Sequence, residues 1–355
     1  MQIEILDTLD QIQALKPDWD ELFDRTRPGL FMHHSWVYNN YRLLQKGRIV
    51  MIAVYADPKR LVGVFPFAVK EMRIKWKRFD ALVHGGSVVT DYSLFMLDPD
   101  SNHRLMIKRV IEKLAEIQPD TWDLICIENL NNAMETSRLF INLALRQFYA
   151  GTVSTEITPV IDLERPYSEA KKISNIKRRF RKIADACETI HLKGDEIDEE
   201  SLGRFSALHK IAFPEASFDN EDTQQFYRAL IDDADFRQHV CLSMIEHEGE
   251  MIAAHFGFED DRTFYYYVPT YNDNYSTYGP GQYLLWQLIT GSHEIDRKVF
   301  DLLRGNEDYK FNWTNSINTN KTLFGIPLQS GRLMRTLTNL WLLTRHIPSF
   351  TRDVN

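Results

Sequence analysis

An apolar run that breaks off into a crowd of polar and aromatic residues constrains this chain more than anything else in it. Phe300-Asp301-Leu302-Leu303 reads as a buried strand. Arg304-Gly305-Asn306-Glu307-Asp308-Tyr309-Lys310, with Trp313 just beyond, reads as its exit loop. Groups that leave one strand together converge at one strand end. Upstream, Tyr278-Gly279-Pro280-Gly281 opens a segment in which Leu284, Leu285, Leu288 and Ile289 recur at helical spacing. Glycine permits close backbone approach, and proline suits the first helical turn. Unpaired N–H groups at a helix start suit a pyrophosphate. Taken alone, the turn reads first as a plain helix start, with Gly and Pro as punctuation.

The rest of the chain alternates strand and helix. Residues 3–6, 50–55, 61–70, 92–97 and 122–128 are β-prone, and 9–25, 31–44 and 104–118 have helical spacing. The second half follows the same outline, with a strand at 158–163 and helices at 168–187, 200–212 and 224–232. Three β-prone segments follow at 240–246, 251–258 and 263–268, joined by Glu248-Gly249-Glu250 and Asp260-Asp261-Arg262. This pattern predicts an α/β (α+β) chain of two domains, 1–150 and 151–330, with an amphipathic tail at 331–355. No close sequence repeat joins the halves.

At 355 residues, two cores are affordable. A net charge of -8 argues against DNA binding. Cys126, Cys187 and Cys241 are far apart, which points to a reducing compartment and no metal site. With no basic leader before an apolar run and no stretch of about 20 apolar residues, a cytoplasmic protein without a transmembrane segment is expected.

The order of these motifs resembles the GNAT acyltransferase superfamily, in the CelD-like branch of bacterial polysaccharide biosynthesis, which is related to FemABX-type aminoacyl transferases. The strand and exit loop at 300–310 are its most specific part. Phe31 to Trp36, Asp91-Tyr92 after Gly85-Gly86, the basic run Lys177 to Lys182, Phe205 to His209 and Ile252 to Gly257 accompany it. The resemblance implies two tandem GNAT-like domains, each a mixed sheet flanked by helices, with the acyl-CoA site in the second. There are two departures. Ser276 stands where such enzymes usually carry Arg or Gln, and Asp296 and Arg297 replace the usual glycine before the last strand.

The resemblance implies acetyl-CoA or another acyl-CoA as co-substrate, held by Tyr278, Gly279, Gly281 and Gln282. It also sets the pantetheine arm along the backbone of the strand bearing Ala254 and Phe256. His255 in that strand reads as a structural histidine. Acyl transfer to an amine needs a neutral nucleophile and a proton for the departing thiolate. Glu307 suits the first task and Tyr309 the second. Arg304 and Lys310 suit an anionic substrate; for Arg304 and Glu307 a mutual ion pair bracing the loop is the alternative. Asp301, Trp313, Asp91, Tyr92, His209 and Arg178 complete the candidate acceptor groups, each with a packing role as its alternative. The seven basic residues between Lys171 and Lys182 fit a solvated helix or a phosphate site. The tail, with Leu333, Leu337, Leu340 and Trp341 near Arg332, Arg335 and Arg345, is expected to dock on the body of the protein or a second subunit, or else to lie on a membrane surface.

Together these features predict an N-acyltransferase acting on a small-molecule amine, with an amino sugar of a surface polysaccharide as the family's context. The alternatives are a FemABX-like transferase using aminoacyl-tRNA, a donor carried on acyl carrier protein, and a non-catalytic scaffold. The sequence does not decide the oligomeric state.

Overall fold

The computed structural model describes residues 1–57, 60–74, 76–86, 89–165, 173–214, 218 and 220–345. The chain forms two compact units, one of Met1–Glu156 with the segment from Thr319, the other of Ile157–Asn318.

In the first unit β1 (Gln2–Leu6) precedes α1 (Leu9–Ala14), α2 (Lys16–Thr26) and α3 (His34–Asn39), which continues as a π-helical turn over Asn40–Leu44. β2 (Arg48–Tyr55), β3 (Leu61–Ile74) and β4 (Lys77–His84) pair as an antiparallel meander, with β5 (Met96–Leu97) beside β3. α4 (His103–Thr121) then leads to β6 (Leu124–Asn131), which joins β4 in parallel. Met106, Ile107, Val110, Ile111 and Leu114 are the buried stripe of α4, as its helical period demands. α5 (Glu135–Gln147) and β7 (Phe148–Asp162) follow.

The second unit repeats that plan. α6 (Ile173–Phe180), β8 (Cys187–Lys193), α7 (Glu199–Ala212) and α8 (Glu221–Asp232) precede β9 (Val240–His247), β10 (Glu250–Glu259) and β11 (Thr263–Tyr271). β8 to β11 are antiparallel neighbours. Glu248 and Gly249, with φ of 51° and 84°, make the two-residue hairpin whose twist matches its strands. α9 (Pro280–Glu294) then crosses to β12 (Val299–Asp301), parallel to β11 and antiparallel to the end of β7. Successive side chains of β10 point to opposite faces. Phe256 meets Phe205 of α7 at 5.9 Å, while His255 stacks on Tyr266 at 4.6 Å, in the layer that α9 covers.

β13 (Ser316–Pro327) and α10 (Arg332–Arg345) close the described chain. Because β13 pairs with β6, residues 319–330 sit with the first unit rather than with the second domain expected for them. Three local expectations also change. Of the helix expected over 168–187, the described part is only α6; a 3₁₀ turn at Ala184–Ala186 and strand β8 follow it. β8 takes its form from pairing with β9, a partner far along the chain. The helix expected over 31–44 divides into 3₁₀, α and π turns, and the strand expected over 92–97 shrinks to β5. Residues 166–172, including Lys171 and Lys172, and the end of the tail from 346 lie outside the described residues.

Candidate functional site

β11 and β12 pair only over Thr263–Tyr265 and Val299–Asp301. β11 runs on to Tyr271, whereas the chain after Asp301 turns to β7, Leu302 N donating to Pro159 O and Gly305 N to Ile157 O, both at 3.1 Å. The two strands therefore part, and beyond Tyr265 β11 has no β12 partner. An exposed strand edge of this kind offers peptide groups to an extended amide-bearing chain such as pantetheine. β10 cannot do so. Ala254 pairs with Thr270 and Met244, and Phe256 with Val268 and Leu242, so the backbone there is used on both sides. Both residues are also buried, which corrects the expectation that they hold the cofactor.

β11 leads directly into the glycine turn. Gly279 has φ 68° and ψ 45°, a left-handed conformation that costs glycine little, and Pro280 opens α9. Among the described residues no side chain caps this helix, and its first internal bond is Tyr283 N to Gly279 O at 3.0 Å. The leading N–H groups, those of Gly281 and Gln282, thus remain for an anion. Tyr278 and Gln282 are half-buried beside them.

The turn is braced by a residue that sequence reasoning passed over. Arg179 donates from Nε to Thr277 O at 2.7 Å and from Nη2 to Ser276 O at 2.5 Å. Its guanidinium lies 3.4 Å from where a Cβ on Gly279 would stand. α6 delivers it by packing on α9, with Phe180 stacked on Tyr283 at 3.8 Å and Lys177 Nζ 4.0 Å over the Trp286 ring. Arg178 instead bonds Asn175 of its own helix at 2.8 Å and is exposed, so the structure does not bring it to the turn. The signal was present in the sequence: Ile173, Ile176 and Phe180 mark the buried face, and Arg179 flanks it.

The exit from β12 is a tightly tied loop. Asp301 is buried and its Oδ1 accepts from Leu303 N at 2.8 Å, holding Leu303 at φ 58°. Such a conformation is costly for leucine and survives only where its surroundings enforce it. Gly305, at φ 130°, leaves room for the Glu307 carboxylate, which occupies the space a Cβ would need. Lys310 is 4% exposed, donating to Arg304 O at 2.5 Å and pairing with Glu307 Oε2 at 3.0 Å. Asp301 and Lys310 therefore tie the loop to itself, and Trp313 is buried with Phe300 and Tyr266. Glu307 and Arg304 stay partly open to solvent. The Tyr309 phenol is pushed well above its ordinary pKa, by burial first and the Glu307 charge second. It stays protonated and makes no hydrogen bond to any described residue.

Three other candidates have packing roles. His209 lies in an aromatic cluster with Phe213 at 5.2 Å and Phe218 at 5.0 Å. Asp91 and Tyr92 are buried in the first unit, where Tyr92 meets Phe31 at 5.9 Å and Asp91 O accepts from Asn320 at 2.9 Å. His255 accepts from Tyr267 N at 3.0 Å through Nε2, and burial lowers its pKa to about 3, so it is neutral and structural. Tyr267, two residues past the last β11–β12 pair, sets its hydroxyl 3.0 Å from that of Tyr227 on α8. This phenol pair went unnoticed in the sequence because only folding unites α8 with β11. Asp296, at the second departure, takes φ 57°, the conformation for which a glycine is usual. Arg297 beside it is buried against Glu259 at 3.1 Å. Among the described residues, no group of His, Cys, Asp and Glu side chains is placed to hold a metal, and no helix is long and apolar enough to cross a membrane.

Residues 170–311 match the acetyltransferase (GNAT) domain family. No curated protein matches the sequence. Among solved structures, FemX aligns with a TM-score of 0.60 at 11% identity, over 97% of this chain and 100% of its own. L-PGS from Bacillus licheniformis aligns at 0.55 and 11%, over 98% and 99%. A tandem GNAT protein from the clavulanic acid biosynthesis pathway aligns at 0.50 and 10%, over 91% and 98%. These likenesses establish the fold, two GNAT-like domains in tandem. The stretch that matches the acetyltransferase (GNAT) domain lies within the second unit.

Proposed function

We propose that this protein is an N-acyltransferase that moves an acetyl or related acyl group from acyl-CoA to an amine. The observation that carries the reading is the parting of β11 and β12 beside an uncapped helix start. Pantetheine would pair with the free edge of β11, and the pyrophosphate would meet the N–H groups of Gly281 and Gln282, on a turn braced by Arg179. Acyl-CoA supplies the activated thioester. The amine lone pair attacks the thioester carbonyl, a C–N bond forms and the C–S bond breaks. Glu307 takes the amine proton through water, and Tyr309, protonated and with no hydrogen bond from its phenol to a described residue, donates to the departing sulfur. An amino sugar for a surface polysaccharide is the acceptor suggested by the sequence resemblance.

A second reading is favoured by one observation, the likeness to FemX over nearly the whole chain. A FemABX-like enzyme would take its acyl group from aminoacyl-tRNA, and Ser276 in place of Arg or Gln suits a different donor. Calorimetric titration with acetyl-CoA, desulfo-CoA and tRNA separates the two. Saturable acetyl-CoA binding that falls about a hundredfold in Gly281→Trp supports the first reading, since the indole fills the space beside Tyr271. Binding of tRNA alone, with RNase-sensitive transfer, replaces it by the second. A carrier-protein donor remains if neither binds.

A further inference from the structure

Helix α10 has apolar side chains on two faces. On one, Trp341 stacks on Phe324 with ring centroids 3.9 Å apart and planes at 13°. Leu342 closes on Gly151, and Thr338 is buried. This face docks the helix. On the other, Leu333, Leu340 and Leu343 are 72%, 38% and 66% exposed. Their spacing of seven and three residues sets them in one stripe along the solvent side. A helix that only covers the sheet needs one apolar face, so the second needs another cause.

The charges of the helix indicate what that cause is. α10 contains Arg332, Arg335 and Arg345 and neither Asp nor Glu, within a chain of net charge -8. Arg335 is held in place over the Tyr149 ring at 5.1 Å, and its Nη2 donates to Leu328 O at 2.5 Å. A second copy of the chain suits this stripe poorly, because a twofold contact would set arginines against arginines. An anionic lipid surface suits both features, an apolar ridge and a helix with basic but no acidic side chains, Arg332 exposed beside the ridge.

We propose that α10 is an interfacial helix that seats the protein on anionic membrane. Leu333, Leu340 and Leu343 enter the boundary between headgroups and acyl chains, and the exposed Arg332 meets lipid phosphates. The proposal is independent of the acyl donor.

Co-sedimentation of the full chain with vesicles tests it. The protein binds vesicles of equal parts phosphatidylglycerol and phosphatidylcholine at low salt, and high salt weakens binding severalfold. It binds phosphatidylcholine alone weakly or not at all. The double substitution Leu333→Glu with Leu343→Glu lowers binding about tenfold or more, as expected when an apolar ridge is removed. Leu333→Ser with Leu343→Ser acts in the same direction without adding charge. Both pairs face solvent, so an unchanged melting temperature certifies the fold. No binding to the mixed vesicles, or equal binding by the variants, overturns the proposal. So does a dimer in sedimentation that the glutamate variant abolishes, which would assign the stripe to self-association.

Discussion

The two units share one plan, an antiparallel meander followed by a helix and a parallel strand, yet they prepare the start of that helix in opposite ways. In the first unit α4 is capped by its own sequence: Asn102 accepts from Leu105 N at 2.9 Å, and Asp98 and Asp100 stand just before it. The side chain of Asp98 is 1% exposed and pairs with Arg60 at 2.9 Å. N–H groups already capped by a side chain disfavour an anion there. In the second unit α9 has glycine at its cap, no side-chain acceptor and an arginine across the turn. A shared topology therefore does not imply a shared site; the few residues ahead of each helix decide whether its leading N–H groups are capped or left open.

Breaking the chemistry of the second unit should have the largest effect. Tyr309→Phe should lower kcat by about a hundredfold or more with KM little changed, the pattern for a group that acts on the leaving sulfur. Unchanged turnover in a steady-state assay would end that role.

Next comes the brace of the turn. Arg179→Ala should weaken acyl-CoA binding by about tenfold or more, since two charge-assisted hydrogen bonds to the turn are lost. Arg178→Ala should change it by less than about twofold, and Asn102→Ala should cost about 1 kcal/mol of stability without touching affinity. Equal losses in the two arginine variants, read by calorimetry, would return the basic helix to a general electrostatic role.

Acid should act on both units alike. Burial lowers His84 of the first unit to about 4 and His255 of the second to about 3. Both are depressed below the unfolded value near 6.5, so the unfolded chain takes up protons first. Stability is full above pH 6.5 and falls as pH drops toward the folded values, by about 1.4 kcal/mol per pH unit for each histidine. Chemical denaturation between pH 7 and 5 measures this slope, to which His191, also lowered by burial, adds, and His255→Phe should flatten it by up to about 1.4 kcal/mol per pH unit.

The smallest effect concerns α9 itself. A Cβ on Gly291 would meet nothing within 4 Å, so Gly291→Ala should stabilise by about 0.5–1 kcal/mol and leave donor binding intact. A lower melting temperature would mean that the space is needed.

Most elements were legible in the sequence because their signals are local. Helical spacing marked α4 and α9, and the paired turns marked β9, β10 and β11. The proposed site is only half legible. Gly279, Gly281 and Tyr309 stand out in the sequence, but the strand of Ala254 and Phe256 reads as the donor's because a strand's pattern does not say which of its edges is left free. Lys310 looked like a substrate cation, and only the loop's closure shows its ammonium spent on Arg304 O and Glu307.

The sequence by itself determined an α/β chain with a glycine turn before an amphipathic helix and a strand ending in a polar loop, since these depend on residues within a few turns of one another. Tertiary structure decided where β11 and β12 part, that Arg179 serves the turn that Ser276 leaves without its own arginine, and that residues from Thr319 return to the first unit. Each of these rests on contacts between residues far apart along the chain, and no local pattern encodes them.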